Sequence, residues 1–465
     1  MHRFVSGFSA AVIFSVLGLA GRVWGQLPYP PQVIFDRITQ FLGTPVMFNL
    51  IHDLLGVGQG GKIAAFVGVL LMWLGGLSLL GVLSPILAAT VILLVLVLLV
   101  PFPWALAHAL LYLLVRLALQ PATRSFEQGR RKALTTLGAG SALLTLGATG
   151  GLFKNVLQGT DQTSASAFKA GSALPEGIVS QEDLYYVSKN LEGFDPVIEA
   201  QAWTLKVGGL VERPTNFSLD DLKRFQQRDL ELTLNCISNP VGGFLIGNAI
   251  WTGFTVRDLL NQVGVKQGAK FIIWKAADGY VESLPLGEAH EEDVLLVHSI
   301  NGEPLTPKHG FPLRVLIPGR YGMKQPRWIT EIELSRTDIP SYWSQRGWDK
   351  EALIKPSSRF DFPEEGKPVP AGQEILMKGV AFAGRVPITK VEVSVDGGKN
   401  WQEAKLSARR SVHAWTLWSL PWTPETGIHE VVVRAYAAGK LQTEATADPL
   451  PGGSTGWHRF LVNVS

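Results

Sequence analysis

The sequence has very little cysteine: Cys236 is the single thiol in 465 residues. One thiol makes no internal disulfide. It attaches no haem through a Cys-x-x-Cys-His run, and it supplies no iron–sulfur cluster that needs several thiolates from one chain. Net charge is scarce too, with 42 basic residues against 39 acidic ones, a formal +3. Without a concentrated basic face, that balance speaks against nucleic-acid binding. Charge is missing altogether from Ile63 to Val115. The chain is too long for one core and suits a membrane part plus two soluble domains.

The first third carries the long apolar runs. Phe4 to Gly21 is uncharged and follows His2 and Arg3, which fits a first span or a cleaved signal peptide. Further apolar segments follow and no small-residue cleavage site ends the run, so a span is favoured. Residues 26–58 hold Pro28, Pro30 and Pro31 beside Asp36, Arg37 and Asp53, and read as an interfacial amphipathic segment. A span takes about 20 apolar residues, so the uncharged run holds two or three, broken at Ser84-Pro85 and Pro101-Phe102-Pro103. Arg116, Arg124, Arg130, Arg131 and Lys132 against Glu127 then place the next loop in the cytoplasm. Arg130-Arg131 ahead of a Gly/Ala-rich run to Phe153 reads as a twin-arginine export signal or as an ordinary positive flank. The expectation is a membrane domain over 1–153 with about five transmembrane helices, the last twin-arginine-like. Four spans with the N-terminus outside is the alternative. On either count the protein is multi-pass in the cytoplasmic membrane, with the remainder on the extracytoplasmic side.

Residues 154–180 are rich in Ser, Ala, Gly and Thr and read as a linker. Over 181–350 short β-rich runs (Trp203–Val207, Leu230–Leu234, Phe271–Trp274, Leu313–Ile317, Trp328–Leu334) alternate with helical ones (Leu219–Arg224, Val256–Val263). That mixture predicts an α+β domain. Over 351–465 the pattern is all-β. Val391, Val393 and Val395 alternate with polar residues into the turn signal Asp396-Gly397-Gly398, and the short strands predict an immunoglobulin-like sandwich.

Cys236 follows a β-rich run, in Leu234-Asn235-Cys236-Ile237-Ser238-Asn239-Pro240. A lone cysteine is usually a buried structural one. An exported chain gains little from one oxidisable thiol, however, and these neighbours are polar and turn-forming. A thiolate is a soft ligand suited to a redox metal.

The run Cys236-Ile237-Ser238-Asn239-Pro240-Val241-Gly242-Gly243 is followed by Ile246–Gly253, Arg257–Leu260, Asn301–Leu305, His309–Arg314 and Pro318–Gly322. In this order and spacing the motifs resemble the sulfite oxidase family, its bacterial membrane-anchored members in particular, and the tail resembles the family's dimerisation domain. The resemblance implies a molybdenum–molybdopterin cofactor with Cys236 as metal ligand. His309, Arg314, Gln325, Pro326 and Arg327 match the residues around the pterin and its phosphate, as do Ser188 and Asn190 in Val187–Asn190. Asp278 matches a further pterin contact. Sulfite oxidases carry a substrate arginine where this chain has Val241 and an active-site tyrosine where it has Trp348. Lys189 offers a positive charge on the substrate side, with Arg320 and Arg346 as other sources. The expected activity is oxygen-atom transfer on a small sulfur compound or oxo-anion outside the cytoplasm. The alternatives are sulfoxide or N-oxide reduction and, in another class, an inactive membrane-tethered interaction protein. The expected partners are a small-molecule substrate, a separate electron-transfer protein or membrane carrier, and a second copy of the chain. His52 and His108 are candidate haem ligands that more simply read as packed or interfacial histidines.

Overall fold

The structure is a computed structural model that describes residues 2–25, 29–35, 59–80, 83–96, 102–118, 176–190 and 195–465. The chain forms two compact units, one N-terminal and one that holds residues 195–465. The N-terminal unit contains helices α1 (His2–Gly25), α2 (Gln59–Leu80), α3 (Pro85–Leu96) and α4 (Phe102–Ala118). Ala10, Phe14, Leu77, Ile92, Leu96, Ala105 and Tyr112 form its core. His108 lies against Phe14, with Nδ1 2.7 Å from the Trp104 carbonyl, whereas His52 lies outside the described residues.

The expected N-terminal transmembrane helices are not what the structure shows. Among the described residues, no helix is long and apolar enough to cross a membrane. Prolines cut the uncharged run into short pieces. The 12 residues of α3 and the 17 of α4 reach only about 18 and 26 Å at about 1.5 Å per residue, short of the ~30 Å of a hydrocarbon core. The longer α1 and α2 carry several glycines and serines, with Arg3, Arg22 and Lys62 toward their ends. The twin-arginine-like span up to Phe153, the linker as far as residue 175 and the interfacial segment apart from residues 29–35 lie outside the described residues.

The second unit begins with an α+β part. Its strands are β1 (Thr204–Gly209), β2 (Thr215–Ser218), β3 (Arg228–Asn235), β4 (Ile246–Thr255), β5 (Phe271–Ala276), β6 (Val281–Pro285), β7 (Leu295–Ile300), β8 (Glu303–Pro304), β9 (Arg314–Leu316) and β10 (Ile329–Ser335). One sheet runs β2-β1-β10-β5-β6, with β1 and β10 parallel; the other runs β3-β4-β7-β8, with β9 on β7. Helix α5 (Leu219–Lys223) starts at a capping box, Ser218 and Asp221 each satisfying the other's backbone N–H. Helix α6 (Val256–Val263) has Thr255 as N-cap and buries Val256, Leu259, Leu260 and Val263. Those four sit at i, i+3, i+4 and i+7, the period that puts one apolar face on the core. Leu205, Val207, Trp274, Leu313, Ile317 and Ile332 complete this core.

The tail is the expected all-β part. Its strands are β11 (Ser357–Phe362), β12 (Ile375–Phe382), β13 (Ile388–Ser394), β14 (Gln402–Glu403), β15 (Lys405–Leu406), β16 (Thr416–Trp422), β17 (Gly427–Ala437), β18 (Lys440–Leu441) and β19 (His458–Val464). They make a β11-β12-β16-β15 sheet and a β14-β13-β17-β18 sheet with β19 on β17. Phe360, Met377, Val391, Val393, Trp418, Val433 and Phe460 fill the space between them. In the predicted turn the Asp396 carboxylate accepts from the Lys399 and Asn400 N–H groups, with Gly397 and Gly398 at positive φ. A third core joins the two parts: Leu232, Leu234, Trp251, Val297 and Leu316 pack against Val380, Phe382 and Trp415. This packing brings the tail up to the cysteine loop.

Candidate active site

Strands β3 and β4 pair through Asn235 and Ile246, so Cys236 opens the loop between them. Its N–H donates to the Leu245 carbonyl at 2.9 Å, and its Sγ lies 3.1 Å from Ser238 Oγ. The thiol is buried, with no disulfide partner. Two phenols sit close enough to feel its charge: Tyr185, raised by burial and by Cys236, and Tyr321, pushed up to about 12, mainly by burial.

Beyond the loop lies a cluster of positive charge. Arg314, at the start of β9, is 5% exposed. Its Nη1 donates to the His309 carbonyl at 3.2 Å and its guanidinium lies over the Trp251 ring, yet its Nε has no partner. Among the described residues no carboxylate pairs with Arg314, Arg327 or Lys308. Arg327 donates to the Lys308 and Val187 carbonyls and stacks on Tyr186 and Trp328. His309 stands among these cations. Burial, with Arg314, Arg327 and Lys308 close by, pushes its imidazole down to about 3, so it is neutral, and its buried Nε2 has no partner. Unpaired buried cations are costly. A group of like charges with idle donors is a place for an anion, and planar guanidinium groups suit a phosphate.

The segment Val187–Asn190 borders this cluster through the Val187 carbonyl. Ser188 Oγ donates to Asp195 at 3.0 Å, and Asn190 Nδ2 donates to Asp195 at 3.0 Å and to Asp278 at 3.2 Å. Lys189 Nζ donates to the Asp278 carbonyl at 2.9 Å and pairs with its carboxylate at 3.6 Å. Ser188, Lys189, Asn190 and Asp278 are thus brought together. Gln325 and Pro326 lie on the next turn. The Gln325 side chain accepts from the Ile317 N–H and donates to the Arg320 carbonyl, so it holds the turn in shape.

A cleft opens on the tail side of the cysteine loop. It is open to solvent, and Asn239, Val241, Tyr321, Arg359 and Ser454 are among its walls. Arg359, on β11, is 3% exposed; its Nε pairs with Asp361 at 2.8 Å and its Nη1 donates to the Gly243 carbonyl at 2.6 Å. Ser454 Oγ donates to the Asn239 carbonyl at 2.6 Å. Trp348 is buried and is not among the walls of this cleft; the N–H of the next residue, Asp349, donates to the Pro451 carbonyl in the tail loop that holds Ser454.

Two sources of compensating charge are already engaged. Arg320 is held by Glu288 and Glu351, and Arg346 lies 3.6 Å above the Tyr342 ring centre while donating to its carbonyl. Motif reading missed four features: Tyr185, Tyr321, the tail loop around Ser454, and the buried Lys324–Glu282 pair at 2.5 Å behind the Gln325 turn. Tyr321 and Lys324 flank the Gly322 and Gln325 positions of the motif and were readable there as polar side chains. Arg359 and Ser454 carry no local signal.

Comparison with known proteins gives the same picture. Residues 192–343 match the oxidoreductase molybdopterin binding domain, and residues 350–465 match the Mo-co oxidoreductase dimerisation domain. Sulfite oxidase of Gallus gallus is 29% identical over 356 residues, covering 65% of this chain and 77% of that protein. The uncharacterized oxidoreductase YuiH of Bacillus subtilis is 34% identical over 146 residues, covering 31% of this chain and 72% of that protein. Among solved structures, the sulfane dehydrogenase SoxCD of Paracoccus pantotrophus shares the fold with a TM-score of 0.57 at 23% identity, covering 63% of this chain and 82% of that one. With two matched domains in order and Cys236 and Arg314 in place, this chain belongs to the sulfite oxidase family and is a molybdopterin-dependent oxidoreductase.

Proposed function

We propose that the protein carries out oxygen-atom transfer at a small sulfur compound of low charge, outside the cytoplasm, and that sulfite is a poor substrate. The observation that carries this reading is the cleft. Its one charged wall residue, Arg359, is already matched by Asp361, and Val241 adds none. A dianion entering such a site loses hydration without gaining an unpaired cation. The sulfite oxidases among the relatives support sulfur as the reacting element.

The donor set fits the molybdenum–molybdopterin cofactor that the family carries. Cys236 Sγ would ligate the metal, His309, Arg314 and Arg327 would hold the phosphate, and Ser188, Asn190 and Asp278 would meet the pterin. When bound, this cofactor supplies a metal with oxidation states two electrons apart, which passes an oxygen atom to or from a substrate. The chain's own residues do the rest. Arg314 and Arg327 offset the phosphate charge, neutral His309 offers a hydrogen bond without adding charge, and the Gln325 turn fixes the cradle. Lys189 and Trp348, assigned to the substrate side, bring no unpaired charge, since the ammonium of Lys189 is spent on Asp278.

A separate carrier takes or delivers the electrons, because one cysteine supports no cluster or covalent haem in this chain. The matched dimerisation domain supports a homodimer through the tail. Export of the folded, cofactor-loaded part is supported by Arg130-Arg131 and the lone thiol. Replacing both arginines with lysine should leave residues beyond 180 protected from protease added to spheroplasts; unchanged cleavage would rule the route out.

The test of the reaction is kcat/KM across sulfite, sulfides and sulfoxides with artificial donors and acceptors, alongside molybdenum and pterin analysis. Efficient sulfite turnover would overturn the reading. An unloaded, inactive protein would favour the interaction-protein alternative, against which the cation cluster stands. Sulfoxide reduction is the second reading, and the cleft's spare hydrogen-bond donor favours it.

A further inference from the structure

The polar groups in the cleft wall are mostly turned inward. Ser454 Oγ donates to the Asn239 carbonyl, Thr455 Oγ1 to the Ala445 carbonyl at 2.7 Å, and Ser358 Oγ to Gln442 at 2.8 Å. Asn239 Oδ1 accepts from the Leu245 N–H at 2.9 Å. Tyr321 is different. Its hydroxyl accepts from the Lys355 N–H at 3.3 Å, and no described residue accepts its proton. The ring is 3% exposed and pinned. Gly453, at φ +88°, lies so close that a Cβ there would collide with the phenol oxygen. Gly322, the next residue, packs near the Asn235 carbonyl, one residue from Cys236. Tyr321 therefore joins the cysteine loop to the cleft and holds a spare donor at a fixed place.

We propose that Tyr321 sets the specificity of this cleft by donating a hydrogen bond to the oxygen of a small uncharged sulfoxide. The inference rests on the reading of the protein as a sulfur-directed oxygen-atom transfer enzyme. A phenol suits the task because it donates without bringing charge, and a phenol keeps its proton at neutral pH. A dianion needs charge in addition to one neutral donor, so the same geometry selects against sulfite. Paired Arg359 and the apolar walls Val241, Ile246 and Phe382 fit the same preference.

The test uses the full-length holoenzyme and its Tyr321→Phe variant, which keeps the ring against Gly453 and removes only the hydroxyl. Methyl phenyl sulfoxide is the probe. It is turned over with a reduced viologen and titrated calorimetrically into the oxidised protein. Losing one hydrogen bond should raise both KM and Kd about tenfold. Molybdenum content, melting temperature and kcat should stay close to wild type. An active variant with unchanged KM and Kd overturns the role of Tyr321 and leaves the functional reading standing. A wild-type holoenzyme that neither binds nor reduces the sulfoxide but oxidises sulfite efficiently overturns both.

Discussion

Arg314 and Arg359 are both buried guanidinium groups in the same unit, and the structure treats them in opposite ways. Arg314 has carbonyls and an aromatic ring for company, one further cation, Arg327, nearby and no acid. Arg359 has Asp361 at 2.8 Å on its own strand. Burial raises that carboxyl, and Arg359 beside it opposes the rise. The first arrangement is incomplete until an anion arrives. The second is complete within the protein, apart from one Nη2 that lies buried without an acceptor. Fixed cofactor charge is expected at the first and a weakly charged substrate at the second.

The cysteine is where the comparison breaks most sharply. Cys236→Ser should abolish activity while the circular dichroism spectrum persists, because a hydroxyl is a poor stand-in for a thiolate on a soft metal. Full activity with an unchanged molybdenum signal would remove Cys236 from the centre. Next comes Arg314→Met. Truncating one partner of a buried charge pair costs about 2–5 kcal/mol, so cofactor retention through gel filtration should weaken by roughly a hundredfold. The apo variant, relieved of an unpaired buried cation, should melt no lower than apo wild type. A variant that keeps its pterin as wild type does would place the phosphate elsewhere.

A smaller effect tests the other side. Val241 lines the cleft, and an arginine there would add the charge that Asp361 does not cancel. Val241→Arg should improve kcat/KM for sulfite by about tenfold, the worth of ~1.4 kcal/mol, and should worsen it for a sulfoxide. If both substrates fall together, the cleft has been blocked and its charge is not the selecting feature.

How much of this was legible in sequence follows from chain distance. The helix Val256–Val263 and the turn at Asp396 are local patterns, and both formed as read. Cys236, His309 and Arg314 sit in motifs whose resemblance to the sulfite oxidase family implies a cofactor. Arg359 reads locally as one more residue of an alternating strand. Only the tail's packing on β3, β4 and β7 brings it to the Gly243 carbonyl, 116 residues away. Tyr321 sat inside a recognised motif, but its spare proton became visible only once Lys355 and Gly453 surrounded it. The membrane reading failed for a different reason. It broke the uncharged run at Ser84-Pro85 and Pro101 and still counted each piece as a span, whereas the helices those prolines bound are only 12 and 17 residues long.

The finest distinction concerns His458, which packs against Gly242 of the cysteine loop. Its Nδ1 accepts from the Phe360 N–H at 3.1 Å, and its ring packs on Gly242 and lies close to Arg359. Burial, and then Arg359, push the imidazole down to about 4. An unfolded histidine titrates near ~6.5. Between these values the unfolded chain binds a proton that the native protein refuses. The neutral histidine's contribution is therefore fully present above about pH 6.5 and is lost as the pH falls through about 4. The slope from one such group is about 1.4 kcal/mol per pH unit within that window. His309 adds a similar slope reaching lower, to about 3, in the cofactor-free protein. Urea unfolding of the cofactor-free protein between about pH 4.5 and 6 should therefore show stability falling on acidification. His458→Asn keeps an acceptor for Phe360 and cannot titrate, so it should flatten that slope by one group's share. A variant with the wild-type slope would mean that His458 takes up its proton in the folded state, and that the loop tolerates a charge beside Arg359.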